Sequence, residues 1–482
     1  MVCKGARAEL ATGEETVIEL ENDLPELPGA ELPAASAAPI EPRAMRRRVL
    51  GLAGPIIGEN FLETLLGIID TWLVAGLGAV ALAGVGSALQ VMFLLIAALS
   101  ALAVGNSVLV AQAVGARDML RAGQLGRQSL IWSVIFSIPL ALGGLVFSAP
   151  LMSIFGLEPE VAQVGTQYLH VTMGTVVVLV GLFIGGGVLR GAGDSRTPML
   201  VTAFANVINV VLAYAMIYGH LGLPAMGAVG SAWATFIARG VALALLIWAL
   251  WQGRNGVTIR GRGGWLPDLK VAKQVLKIGI PAAMEQLLVS TAFLALGIVV
   301  AHLGTEVLAA HRVAFSALSL SFLPGIGFGI AATALVGQSI GARRIAEGAA
   351  AARVATTWAV IWMSAIAVLL FIFAPQALSL FSDDPAVIAA GAGGLRVVAL
   401  LQPFWAVLFV QSGALRGAGN TSFPLKVSGS GIWASVGLAW LLITLFGGGL
   451  VAVWVAFLIV APVTAGLMWR RFQRTVREFP SA

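Results

Sequence analysis

Four carboxylates stand where carboxylates are rare. Glu59, Glu63, Asp70 and Glu285 each lie inside a long apolar run, while the other acids after position 45 sit in connecting segments or at run ends. A charge at bilayer depth costs at least ~2.5–3.5 kcal/mol on insertion scales, so such a group normally faces a cavity and works there. Glu59, Glu63 and Asp70 are spaced by four and seven residues. At about 100° per residue they fall within about 40° of one another on one helix face, with Asp70 roughly 16 Å along the axis from Glu59. One acidic stripe down a span is what a proton or sodium path requires. The competing explanation is that the glutamates hydrogen-bond neighbouring helices, for instance through Asn60. Asn206 and Asn209 are three apart in another run and share a face. An amide carbonyl can offer oxygen to a cation, or the amides can simply bond between helices.

Little else in the chain could do covalent chemistry. The four histidines, at 170, 220, 302 and 311, are scattered, which leaves a membrane-embedded enzyme without a cluster of catalytic groups. The single cysteine, Cys3, excludes an internal disulfide framework and any multi-cysteine metal site. Two Leu-Arg-Gly-Ala-Gly segments have no strand before them and no Lys-Ser/Thr after them, which excludes a Walker phosphate site. Arg190 and Arg416 in these segments are expected to brace helix ends, a structural role. His311 and Arg312 at the start of span eight, and Arg239 in span six, are expected to snorkel or pair structurally.

The elements that position these residues are membrane spans. Of 482 residues, 59% are hydrophobic and 11% charged, against roughly 25% charged in soluble domains. Apolar runs long enough to cross a bilayer, about 20 residues each, recur after residue 48. The first half holds six, near 49–75, 80–113, 128–148, 162–186, 197–218 and 227–251. The second holds six, near 273–301, 306–340, 354–374, 387–412, 424–446 and 450–470. Pro324, with Gly325, Gly327 and Gly329 behind it, is expected to kink the eighth, since proline removes a helix hydrogen bond.

The halves repeat. A shift of 226 positions lays Leu189-Arg190-Gly191-Ala192-Gly193 on Leu415-Arg416-Gly417-Ala418-Gly419, Gln112 on Gln338, Pro55 on Pro281 and Glu59 on Glu285. Two copies in the same order in so apolar a chain indicate a helical bundle duplicated in parallel, with a cavity between the copies, as in transporters. The expected fold is all-α, twelve transmembrane helices in two parallel six-helix repeats around a central cleft. The expected divisions are a disordered acidic tail at 1–44, a first lobe at 45–251, a linker at 252–272, a second lobe at 273–470 and a tail at 471–482. Basic residues fill alternate loops, as with Arg117, Arg121 and Arg127, or Arg343 and Arg344, while the intervening loops carry Glu158 and Glu160 or Asp383 and Asp384. Basic loops stay in the cytoplasm, so both termini are expected inside, in a multi-pass plasma (inner) membrane protein. The basic excess reads as orientation and not as nucleic-acid binding.

Pro55 with Asp70-Thr71 fifteen residues on, then Leu77-Gly78 and Leu82-Ala83, resembles the first helix of the MATE (multidrug and toxic compound extrusion) transporters. Val110-Ala111-Gln112…Gly115, Val336-Gly337-Gln338…Gly341, Leu308-Ala309-Ala310-His311 and the paired Leu-Arg-Gly-Ala-Gly loops closed by Pro198 and Pro424 are similar to further motifs of that family, prokaryotic branch. The resemblance covers about residues 45–470. It implies two six-helix lobes and a secondary exporter of amphipathic organic cations driven by inward H⁺ or Na⁺, a monomer with lipid as neighbour and no other cofactor. It also implies that Asn209 joins Asp70 in the first lobe's ion site. This chain has Trp405, Ala213 and Val289 where the family often has carboxylates, so the family's ion scheme does not transfer whole, and H⁺ is favoured slightly. The cation-coupling candidates are Asp70, Glu59, Glu63, Asn209 and Glu285. Amphipathic cations need aromatic faces, adaptable apolar walls and an acid, which makes Phe61, Trp72, Met284, Phe293, Gln402, Phe404 and Trp405 candidates for the substrate cleft; Gln411 could line it too. A flippase for lipid-linked oligosaccharides shares the two-lobe plan but favours a basic cleft.

Overall fold

A computed structural model of the protein describes residues 41–261, 263–380, 384–447 and 449–478. Most of the acidic tail, together with Arg262, Phe381 and Asp383, lies outside the described residues. Every long regular element among them is an α-helix. In chain order these are α1 (Pro42–Ala75), α2 (Ala79–Gly115), α3 (Met119–Ser153), α4 (Pro159–Gly174), α5 (Val176–Gly191), α6 (Arg196–Tyr218) and α7 (Ala228–Gln252), then α8 (Leu269–Ala301), α9 (Thr305–Gly341), α10 (Ile345–Ile372), α11 (Ala374–Ser379), α12 (Pro385–Gly417), α13 (Ser422–Phe446) and α14 (Leu450–Glu478). Eleven are long and apolar enough to cross a membrane, and α4 with α5 makes a twelfth span broken by 52°.

That break falls at Thr175, not at a proline. Gly174 is a weak helix former, and the hydroxyl of Thr175 bonds back to the Val171 carbonyl at 2.7 Å, a bond that bends helices. Pro324 by contrast sits inside the single helix α9.

Each half builds its own core. One cluster joins Leu73, Ala88, Leu169, Ile217 and Ala232 from α1 to α7. Another joins Leu296, Leu318, Leu395, Trp454 and Phe457 from α8 to α14. The packing inside the lobes repeats as the sequence does. Gly187 and Gly191 of α5 press on the carbonyls of Ala103 and Ser107 in α2, and Gly413 and Gly417 of α12 press on those of Gly329 and Thr333 in α9. Glycine at four-residue spacing is how two helices approach backbone to backbone without side chains between them.

The lobes meet where α2 packs on α8 and α9 packs on α1 and α2. At the end of the bundle that carries the Leu-Arg-Gly-Ala-Gly loops, the contact is reciprocal. A Cβ on Gly115 would collide with the Gln338 carbonyl, and one on Gly341 with that of Gln112. Gly115→Ala is therefore expected to lower the thermal unfolding midpoint, with overpacking typically costing about 1–3 kcal/mol. Gly437→Ala, at a site with nothing within 4 Å, serves as the control and should be neutral or slightly stabilising.

Two boundaries differ from the expected divisions. Helix α14 continues through position 471 to Glu478, burying Phe472 and Thr475; the first-lobe equivalent of Glu478 is Gln252, where α7 also stops. The segment after α7 is no free connector. Val257 and Ile259 are buried among Val110, Leu125, Val188 and Leu250. The Gln128 amide donates to the carbonyls of Gly264 and Leu266 at 2.8 and 2.6 Å and accepts from the Asp268 amide at 2.9 Å. Apolar residues in a short polar stretch were the signal that this strap folds onto the first lobe.

Candidate functional site

Between the lobes lies a cavity of about 870 Å³, lined from both sides. From α1 it takes Glu59, Asn60, Glu63 and Asp70, on the face that the four- and seven-residue spacing defines. Helix α5 supplies Arg190, α6 supplies Asn206 and Asn209, and α7 supplies Arg239. From the second lobe come Glu285, Val289 and Phe293 of α8, Phe315 and Phe322 of α9, and Trp405, Phe409, Ser412 and Arg416 of α12.

The two glutamates at the deep end are tied to arginines in the same way. Arg190 Nη1 donates to Glu59 Oε1 and Oε2 at 3.1 and 3.0 Å. Arg416 Nη2 donates to Glu285 Oε2 at 2.7 Å, and Ser412 Oγ donates to Oε1 at 3.2 Å. The separation along the chain is 131 residues in both pairs. The arginines of the two glycine loops therefore reach into the cleft, which corrects the expectation that they only brace helix ends. Charge explains it: a half-buried guanidinium beside a buried carboxylate gains most when paired.

Glu63 and Asp70 make no ion pair within 4 Å among the described residues, and Arg239 lines the same cavity. Asp70 Oδ1 is buried without a hydrogen-bond partner. On the neighbouring helix α6, Asn209 gives its amide hydrogen to Thr235 Oγ1 at 3.0 Å, which leaves its Oδ1 buried and unpartnered as well. Asn206 bonds the Leu62 carbonyl across the same helix pair at 2.8 Å. These two buried acceptor oxygens without partners belong to residues that line one cavity, and a proton or a small cation is what such acceptors can take.

The second-lobe wall is aromatic. Phe293 meets Phe315 edge-on at 5.3 Å, Phe315 meets Phe322 at 6.3 Å, and Phe322 meets Trp405 and Phe409 at 5.1 and 6.0 Å. Such rings offer flat faces to an apolar or cationic guest.

Several candidates for the cleft lie elsewhere. Phe61 and Trp72 are 52% and 73% exposed and stand outside the cavity lining. Each lies two residues, about 200°, from an acid of the stripe, on the far side of the helix. Met284 is also exposed and off the cavity, one residue from Glu285. Phe404 packs against the second-lobe core. Gln402 and Gln411 are fully buried and bonded to Ser321 and Thr356, away from the cleft. His311 is buried with its ring stacked on Trp454 at 5.5 Å. The structure adds Arg239, Phe315, Phe322 and Phe409. The repeat contained the arginine signal, since an equal offset relates both Glu–Arg pairs, but nothing local in the sequence singled out these phenylalanines.

The MatE family profile matches residues 55–215 and again 281–441. The chain belongs to the MATE family. The two matches are offset by the repeat length, so each lobe is one copy of the family unit. Among relatives of this MATE chain, "Probable multidrug resistance protein NorM" of Thermotoga maritima is 31% identical over 417 residues, covering 86% of this chain and 89% of its own. "Multidrug resistance protein NorM" of Burkholderia vietnamiensis is 33% identical over 395 residues, covering 79% and 83%. Among solved structures, that of a MATE protein in complex with MaL6 superposes with a TM-score of 0.84 at 26% identity, covering 90% of this chain and 97% of the other. The fold is thus the two-lobe, membrane-spanning MATE fold, and the family is one of transporters and not of enzymes.

Proposed function

We propose that this MATE protein is a secondary active exporter that moves amphipathic organic cations out of the cell against an inward flow of H⁺ or Na⁺. The observation that carries this reading is the division of the cavity: unpaired acids and amide oxygens on the first lobe, an aromatic wall on the second. A guest with a cationic head and a planar apolar body satisfies both. NorM relatives named for multidrug resistance support the same reading. H⁺ is the favoured ion, because Glu285, the only second-lobe carboxylate lining the cleft among the described residues, is held by Arg416, and Trp405 and Val289 replace family acids. The coupling group is Asp70 with Asn209. Four acids and three arginines line the cavity, a slight acidic excess that argues against an oligosaccharide flippase. The protein acts as a monomer in the inner membrane. Everted vesicles given a fluorescent organic cation in the external medium test this directly. Uptake into the vesicles is expected only with an imposed proton or sodium gradient, and uptake indifferent to both gradients would overturn the reading.

The orientation follows from the loop charges. Both termini, the glycine loops and the start of α3 face the cytoplasm, and the loop at 154–158 faces outward. In a Cys3→Ser background, Glu158→Cys is expected to react with an impermeant maleimide added to whole cells, and Leu120→Cys is not. The reverse pattern would invert the topology.

A further inference from the structure

Two contacts at the end of the bundle that carries the glycine loops cross between the repeats and tie the lobes together there. Gln338 of the second lobe donates from Nε2 to the Gly191 carbonyl of the first at 2.9 Å. Gln112 of the first lobe donates to the Gly417 carbonyl of the second at 3.3 Å. Gly191 follows Arg190, whose side chain holds Glu59, and Gly417 follows Arg416, whose side chain holds Glu285. Each glycine loop therefore carries, on adjacent residues, a side chain anchored to a cleft carboxylate of its own lobe and a carbonyl clasped by the opposite lobe.

We propose that Gln112 and Gln338 are positioning residues of transport, which pass the charge state of Glu285 and Glu59 respectively to the inner seal, each across the lobe boundary. The inference rests on the alternating-access reading above. While Glu59 is charged, Arg190 is drawn toward the cavity and the backbone at 190–191 stays where Gln338 can reach it. A proton on Glu59, or a substrate cation competing with Arg190, frees the guanidinium. The loop then loses its fixed point, the clasp on Gly191 weakens, and the lobes part at their inner ends. The same chain of contacts runs from Glu285 through Arg416 to Gln112. The charged side chains that line the cavity around these pairs are Glu63 and Asp70 of α1 and Arg239 of α7. This gives the coupling a two-state element that both the site and the seal bias, which is what a physical account of coupling needs.

The two clasps are unequal. Arg48 of α1 donates to Gln338 Oε1 at 3.1 Å and lies 3.8 Å from Glu347 of α10. This fixes which end of the amide faces Gly191. The repeat-equivalent positions hold Gln274 and Arg121, a pair that cannot form an ion pair, so Gln112 has no such support. The Gln338 clasp is the stronger of the two.

The test uses the full-length chain in lipid nanodiscs, without substrate, in a Cys3→Ser background with spin labels at Leu120→Cys and Ala346→Cys. Both positions are exposed, on the first turns of α3 and α10. Glu59→Gln is expected to shift the label-to-label distance distribution toward longer values, and Gln338→Met to do the same. Added to Gln338→Met, Glu59→Gln should give no further shift; added to Gln112→Met, it should give its full shift. Glu285→Gln should show the mirrored dependence, and Gln338→Met should shift the distribution more than Gln112→Met. Should Gln338→Met not fold, Gln338→Glu removes the amide donor at constant size and is expected to behave alike. Equal shifts by Glu59→Gln with and without Gln338, or no shift by either variant, would overturn the proposal. Because the distances require no transport, failure of vesicle efflux would count against the exporter reading alone.

Discussion

Asp70→Asn is expected to bring gradient-driven efflux down to the rate of vesicles without a gradient, while the protein still folds and binds some drug. The substitution keeps the shape of the side chain and removes the titratable charge. Asp70 is the stripe acid nearest the outer end of α1, and it has a buried oxygen without a partner. On α6, the next helix, Asn209 also keeps a free oxygen while its amide hydrogen is committed to Thr235. A proton or Na⁺ arriving from outside would satisfy these acceptors and allow α1 to repack against α6, expelling the drug; its release inside would reset the cycle. An asparagine can accept no proton, so the cycle stalls at this step. Asn209→Ala should weaken coupling less, since the carboxylate remains. Undiminished gradient-dependent efflux by Asp70→Asn would move the coupling site to Glu59 or Glu285.

The largest expected stability effect comes from Arg416. Removing one partner of a buried ion pair costs up to about 3–5 kcal/mol, because the other charge is left uncompensated. Arg416→Met strands Glu285, which is only 5% exposed. A cavity of about 870 Å³ beside the pair has room for water that would screen the orphan charge, so the loss should fall toward the lower end of that range. It should appear as a clearly lower thermal unfolding midpoint in detergent. The double variant Glu285→Gln/Arg416→Met removes both charges and is expected to recover most of the lost stability. Efflux should fail in both variants if the pair also serves transport. Arg416→Met unfolding at the parental midpoint would mean that Glu285 is solvated in the cleft and gains little from its arginine.

Glu285→Gln reads the same pair from the other side and should impair drug resistance at near-normal expression. Here the orphan is a guanidinium that is one-quarter exposed, so the stability cost should be smaller than for Arg416→Met. Full export of every tested substrate by this variant would reduce Glu285 to a packing residue.

The repeat, the spans and the acidic face of α1 were legible without a structure, because each depends on local quantities. Hydropathy over about 20 residues reports bilayer crossing, the helical period reports which residues share a face, and the 226-residue offset relates the two lobes. The acidic stripe even contained the argument against Phe61 and Trp72, which lie about 200° from it by the same helical period; residue type had suggested them. Tertiary structure decided what faces what. Side chains of one kind became cleft wall at Phe322 or bundle surface at Phe61, since only the placement of neighbouring helices separates a cavity face from an outer face. The chain links Glu59 to Arg190 only across a sequence separation of 131, and it links Gln338 to Gly191 only across two lobes. Such pairs are made by helix packing, where a buried charge or carbonyl takes whichever partner the neighbouring helix brings within reach.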